Sequence, residues 1–197
     1  DSVTIVVDDK GNTGSGGQQI TTKVLSVFVS AVNDAPVVVV PGAQSVNEDA
    51  KLSISGVSVS DADVDETYGA VLEVSLSVQH GVLALGSVAG LSVTAGSAAG
   101  TSGVMTFRAG LASANAALSG LIYQGEQDWS GSDILLVSVS DLGNTGSGGV
   151  QVTNAKVAIA VAAVNDAPAV AVPAAAAVPV GVAVPVRAGG GGGSGGG

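Results

Sequence analysis

The chain has 197 residues, 46% of them hydrophobic but only 3% aromatic, so its apolar material is almost entirely Val, Ala, Leu and Ile. Sixteen acidic residues against six basic ones give a formal net charge of −10, which speaks against a nucleic-acid partner, because phosphate binding needs clustered Lys and Arg. With no Cys, a disulfide framework, a thiolate zinc site and a Cys nucleophile are excluded, and the longest apolar tract, around Val157 to Val164, is far shorter than a membrane-spanning helix.

In chain order, strand signals fall at Val37 to Val40, Lys51 to Val59, Val71 to Val78, Gly81 to Leu85, Gly103 to Phe107, Gly120 to Tyr123, Ile134 to Ser140 and Val150 to Val161. Several alternate an apolar residue with Ser or Thr, the period of a half-buried strand, and Gly, Asn and Asp separate them. Short strands at this spacing predict an all-β sandwich. One stretch reads as helix: Leu111 to Leu118 is Ala-rich and about two turns long, a crossover on the side of the sheets.

An internal repeat organises these elements. Gly11-Asn12-Thr13-Gly14-Ser15-Gly16-Gly17 recurs unchanged at Gly143 to Gly149, and Val32-Asn33-Asp34-Ala35-Pro36 recurs at Val164 to Pro168, so that Gly11 maps to Gly143 and Asn33 to Asn165 with one common offset of 132. The offset divides the chain into the C-terminal strands of one copy (1–32), a complete copy (33–164) and the start of a third (165–197). In the third copy Val170, Val172, Pro173, Ala175 and Val178 match Val38, Val40, Pro41, Ala43 and Val46, before the sequence passes into an Ala/Val/Pro and poly-Gly linker. The expectation is a piece of a longer tandem array, with any leader outside it and the tail packed against neighbouring subunits.

The Val-Asn-Asp-Ala-Pro junctions, Asn47-Glu48-Asp49, Asp61-Ala62-Asp63-Val64-Asp65-Glu66, and Tyr123 followed by Trp129-Ser130-Gly131-Ser132-Asp133 resemble the cadherin-like tandem repeats of giant extracellular and cell-surface proteins. The resemblance implies an Ig-like Greek-key β-sandwich, calcium at domain junctions, and a spacer or adhesive stalk on the cell surface or a ciliary appendage. A period of this length is long for such repeats, which places an insertion between Gly86 and Leu118.

Strand alternation alone sorts the acids into two poles. Asn33, Asp34, Asp61, Asp63, Asp65 and Asp141 gather at an upper pole; Glu48, Asp49, Glu126, Asp128, Asn165 and Asp166 gather at a lower one. Calcium takes six to eight oxygens, and alternate acids on one loop can converge on a single ion. Asp61, Asp63 and Asp65 read as calcium ligands, whereas Asp141, Asn144 and Asn12 read as turn formers, since Asp and Asn bond their own backbone. The third copy carries Gly193, Gly195 and Gly197 where the complete one has Asp61, Asp63 and Asp65, so the lower site should be the weaker. The loop lacks the Gly and the bidentate Glu of an EF-hand.

Catalytic signals are sparse. His80 is the sole histidine and has no organised nucleophile, and the Gly-rich turns lack the Lys of a phosphate loop. Tyr123 and Trp129 read as core cover rather than a sugar platform. The leading expectation is a non-enzymatic structural module that contacts neighbouring repeats and copies of itself. The runner-up is an adhesin domain that binds glycan or another surface protein, and the third is an accessory domain of a secreted enzyme.

Overall fold

In the computed structural model the described residues are 1–66, 69–144, 146–168 and 170, without the side chains of Asp65 and Glu66. They are mostly β-strand, with two short helices, and neither helix is long and apolar enough to cross a membrane. One compact unit spans Asp1–Val164 and a second spans Asn165–Gly197. In the second, residues 165–168 and 170 carry no regular secondary structure, and the third-copy matches beyond Val170, with the Gly tail, lie outside the described residues.

The chain opens with an antiparallel hairpin, β1 (Ser2–Asp8) and β2 (Ile20–Ser26). Two very short strands follow, β3 (Val37–Val39) and β4 (Gln44–Asn47), then β5 (Lys51–Ile54), β6 (Ser58–Ser60) and a single-turn helix α1 (Ala62–Glu66). Next come β7 (Leu72–Ser77), β8 (Gly81–Ala84), β9 (Ser92–Gly96), β10 (Val104–Ala109) and the helix α2 (Leu111–Leu118). The order closes with β11 (Leu121–Gly125), β12 (Gly131–Ser140) and β13 (Val152–Ala162).

Two layers form around one core. The larger sheet runs β4-β13-β12-β7-β10-β9 and the smaller β5-β11-β8, while β3 pairs separately with β6. All pairings are antiparallel except β4 with β13. Alternation explains the faces: in β7, Leu72, Val74 and Leu76 are buried while Glu73, Ser75 and Ser77 are half-exposed. Val137 and Val139 of β12, Phe107 of β10 and Ile159 of β13 enter the same cluster as Ile54, Leu83, Leu121 and Tyr123 from the smaller sheet. Each such side chain contributes about 1.5–3 kcal/mol by leaving water.

Three features differ from the sequence expectation. The run Lys51 to Val59 is two strands, because Gly56 takes a left-handed φ of 84° and turns the chain from the smaller sheet to β3. β4 and β9 carry too little apolar periodicity to be read: β4 is a polar segment with one half-buried Val46, and β9 is an edge strand exposed along its length. The acidic stretch Ala62 to Glu66, expected as a loop, is helical because Asp61 caps it, its Oδ1 accepting from Asp63 N and Val64 N at 3.0 Å.

Helix α2 has the expected bounds and holds an exposed strand edge. Asn115 acts as a surrogate strand for β6: its Oδ1 accepts from Val59 N at 2.9 Å and its Nδ2 donates to Val59 O at 2.8 Å. The segment expected to be inserted, Gly86 to Leu118, contains α2 and the strands β9 and β10, and the two strands widen the larger sheet beyond β7.

The repeat is visible as backbone geometry. Ile5 faces Lys23 in the first hairpin as Val137 faces Ala155 in β12–β13, and every other pair of β1–β2 has its counterpart one repeat period later. The turns match as well. Asp9 Oδ1 accepts from Gly11 N and Gln19 N, each at 2.8 Å, and Asp141 Oδ1 accepts from Gly143 N and Gln151 N, each at 2.8 Å. Lys10 and Leu142, the residues held inside these clamps, share left-handed φ values of 58° and 59°.

Candidate functional site

Antiparallel pairing of β3 with β6 sets Val37 opposite Ser60, so the residues just before β3 meet those just after β6. That is how Asp34 reaches Asp63: Asp34 N donates to Asp63 Oδ2 at 2.6 Å. Asn33 is bound on its other side by the β12–β13 turn, where its Nδ2 donates to Asp141 Oδ2 at 2.5 Å and to Gly149 O at 2.8 Å. The upper pole therefore brings together Asn33, Asp34, Asp61, Asp63 and Asp141. The side chain of Asp65 lies outside the described residues.

Asn33 and Asp61 are 6% and 4% exposed, and each holds one buried oxygen, Asn33 Oδ1 and Asp61 Oδ2, with no hydrogen-bond partner among the described residues. A buried acceptor left unpaired costs about 1–3 kcal/mol, so each of the two needs a donor such as water, or a cation. Every side-chain acceptor there is oxygen, the donor set of a hard cation such as calcium. A cleft of about 550 Å³ lined by Asp34, Ser60, Asp61 and Leu111 opens beside them. Among the described residues no three carboxylates of this pole lie within 4.8 Å of one another, so the set is looser than a closed cage.

Asp141 is fully buried, and its pKa is lowered overall. Burial acts to raise it, and the N–H groups of Gln151 and Gly143 with Asn33 Nδ2 outweigh that penalty by bonding the charged form. It serves the turn and the junction, in keeping with a turn-forming role. Asn144 is likewise a turn residue, its Nδ2 donating to Asp141 O and Val71 O.

The lower-pole residues are placed as follows. Glu48, buried, clasps the exit of β13: its Oε1 accepts from Val164 N at 2.6 Å, and its own N–H donates to Ala162 O at 2.9 Å. Asp49 and Asp128 are exposed and adjacent, Asp128 N donating to Asp49 Oδ1 at 3.2 Å, and both take left-handed φ values. Glu126 turns aside to His80, with 3.7 Å between Oε2 and Nδ1. Asn165 and Asp166 belong to the second unit.

Asp133 is the residue that sequence reasoning passed over. It is 3% exposed and accepts from Gln79 N, His80 N and Ile134 N at 2.7–3.0 Å. The buried Tyr123 hydroxyl forks between His80 O at 2.9 Å and Asp133 Oδ2 at 3.1 Å. Burial, then the charge of Asp133, raises the tyrosine pKa. Burial also acts to raise Asp133, but the three backbone N–H donors outweigh it and its pKa is lowered. The signal was present in the sequence: Asp133 falls in phase with Leu135, Val137 and Val139, an acid on the inward face of a strand.

Outside this latch, His80 stacks on Trp129 with ring centroids 4.3 Å apart, and Trp129 is half-buried against the core. No family of protein domains matches the chain in a scan of family profiles, and a search of curated proteins finds no match.

Proposed function

We propose that this chain is a stretch of a non-enzymatic tandem-repeat protein, a spacer in an extracellular filament or surface stalk, built from cadherin-like Greek-key sandwich repeats. The observation that carries this reading is the shared register and turn of the two hairpins, one repeat period apart. A repeated hairpin with the same backbone clamp is what stacking one module after another requires. The strand order supports the Ig-like assignment, with β4-β13-β12-β7 facing β5-β11-β8 and the first strand divided between β3 and β4.

Calcium is the proposed cofactor, held at the upper pole by Asn33, Asp34, Asp61, Asp63 and Asp65, with Asp49 and Asp128 as a second and weaker set. Bound there it would supply charge and coordination to a linker that otherwise rests on a few hydrogen bonds. The partners proposed are neighbouring repeats and other copies of the same protein.

Imaging of the native particle tests the functional reading. A rod or filament with a regular axial repeat is the expected outcome, and a compact globular particle would overturn it.

A further inference from the structure

The acids of this chain avoid its sheet faces. Of the sixteen, only Asp8, Glu73 and Asp133 lie in strands, and Asp133 is buried among the core residues. The outer face of the larger sheet is set by side-chain alternation within the complete repeat, and it is aliphatic and hydroxylic instead. Val104, Ile134 and Leu136 are 52%, 46% and 42% exposed there, and Ser77 lies between Leu136 and Val104, opposite both. Two adjoining hollows of about 440 Å³ each share Ser77, Leu136 and Lys156, so the face is indented. From β13 to β10 its charged residues are Glu73, Arg108 and Lys156. Glu73 pairs with Arg108 at 2.8 Å, and Lys156 has no ion-pair partner among the described residues. Two cations against one acid leave this face net positive on a chain of charge −10. Lys156 faces Leu136, which faces Ser77, and Glu73 lies four residues from Ser77 along β7. Two strand spacings and four residues set Lys156 and Glu73 about 17 Å apart, at opposite corners.

We infer that this face docks on the same face of a second copy about a two-fold axis, each Lys156 set against Glu73 of the other copy. A two-fold operation exchanges opposite corners, so the lone cation and the one acid answer each other twice. The hydroxyls fit the same occupant, because Ser75, Ser77, Thr106 and Ser138 each donate and accept and so pair with their own kind. Elsewhere two chains of this net charge repel. The outer face of the smaller sheet does not suit such a pairing: its strands carry Lys51 and no acid, and two copies would set cation against cation. The outward rows of β13, β12, β7 and β10 cover about 500 Å², short of the roughly 800 Å² per partner of a stable dimer. The contact is therefore weak for one repeat and strong only where repeats in a row engage together. The inference rests on the reading that copies of this protein are partners, and adds the face and the symmetry.

Sedimentation equilibrium on the full chain tests it. Apparent mass should climb from monomer toward dimer between about 10 μM and 1 mM. Leu136→Asp should abolish the climb, and Ser53→Asp, on the outer face of the smaller sheet, should leave it intact. Lys156→Glu and Glu73→Lys should each weaken the dimer about tenfold by setting like charges together. An equimolar mixture of those two variants should recover it as a heterodimer, since both corner pairs are then opposite in sign. A mass that stays monomeric across that range, a dimer that survives Leu136→Asp, or a mixture no tighter than its two components overturns the docking inference. Imaging of the native particle reads axial repetition, which a failure to dimerise does not remove, so the two readings fail separately.

Discussion

Asn33 and Asp141, 108 residues apart in sequence, meet through a buried hydrogen bond of 2.5 Å that joins the entry of the repeat to its last hairpin turn. Replacing Asn33 by Ala should leave Asp141 Oδ2 buried without its donor. Hydrogen bonds to charged groups are worth about 1.5–3 kcal/mol, and a loss in that range is expected in denaturant unfolding. A loss below about 0.5 kcal/mol would show that water replaces the amide.

Gly146 holds the linker by close approach. A Cβ there would lie 2.7 Å from Asn33 N and from Val32 C, and its φ is 82°. Gly146→Ala should therefore break the pairing of Asn33 N with Ser147 O and of Ser147 N with Ala31 O. The expected cost is about 1 kcal/mol or somewhat more. Faster exchange at Asn33 and Ser147, with the core amides unchanged, is the signature to look for.

Acid should destabilise the repeat through Asp133 and Asp141. Both have folded pKa values lowered from 3.8, so their contribution is fully present above the unfolded value and is lost as pH falls through the folded one. Stability should hold down to about pH 5 and decline below about pH 4. Asp133→Asn should flatten that decline, and Tyr123→Phe should cost about 1 kcal/mol at neutral pH. An acid limb as steep in Asp133→Asn as in the parent would assign the transition to other carboxylates.

Calcium should raise the melting temperature by several degrees. At 100 times its dissociation constant an ion stabilises the folded state by about 2.7 kcal/mol. Asp61→Asn and Asp63→Asn should each remove most of the increment, while Asp49→Asn should leave the larger part. A melting temperature indifferent to excess EDTA would take calcium out of the account.

Much of the architecture was legible because Val-rich alternation and Gly-Asn turns speak directly about burial and chain reversal. β7, β8, β10, β11, β12 and β13 lie within a few residues of the runs that announce them, and α2 matches its run at both ends. What escaped were elements held by something other than their own apolar pattern. β9 is an exposed edge paired through its backbone and the Thr94 hydroxyl, which donates to Thr106 O, β4 owes its place to a parallel ladder with β13, and α1 depends on a cap from Asp61. At the poles, composition and order located the acids but not their occupations. Asp141 is the turn former expected of it, but Glu48 is committed to Val164 N and Glu126 to His80, and those assignments need the distances.

The pairing of Ala31–Asn33 with Ser147 determines where mechanical load would enter the repeat. Tension applied through the linker is handed at once to the β12–β13 turn, through Asn33 and the backbone bonds at Ser147, and bypasses the three-residue strand β3. That hairpin is the longest paired ladder among the described residues, running from Gly131 with Val161 to Ser140 with Val152. At the far end Glu48 ties Val164, the point where force would leave, back to the start of β5. The repeat is thus tied at both ends by side chains to its longest ladder, so in an array of the kind proposed above, pulling should release one whole repeat at a time rather than fray it from an edge.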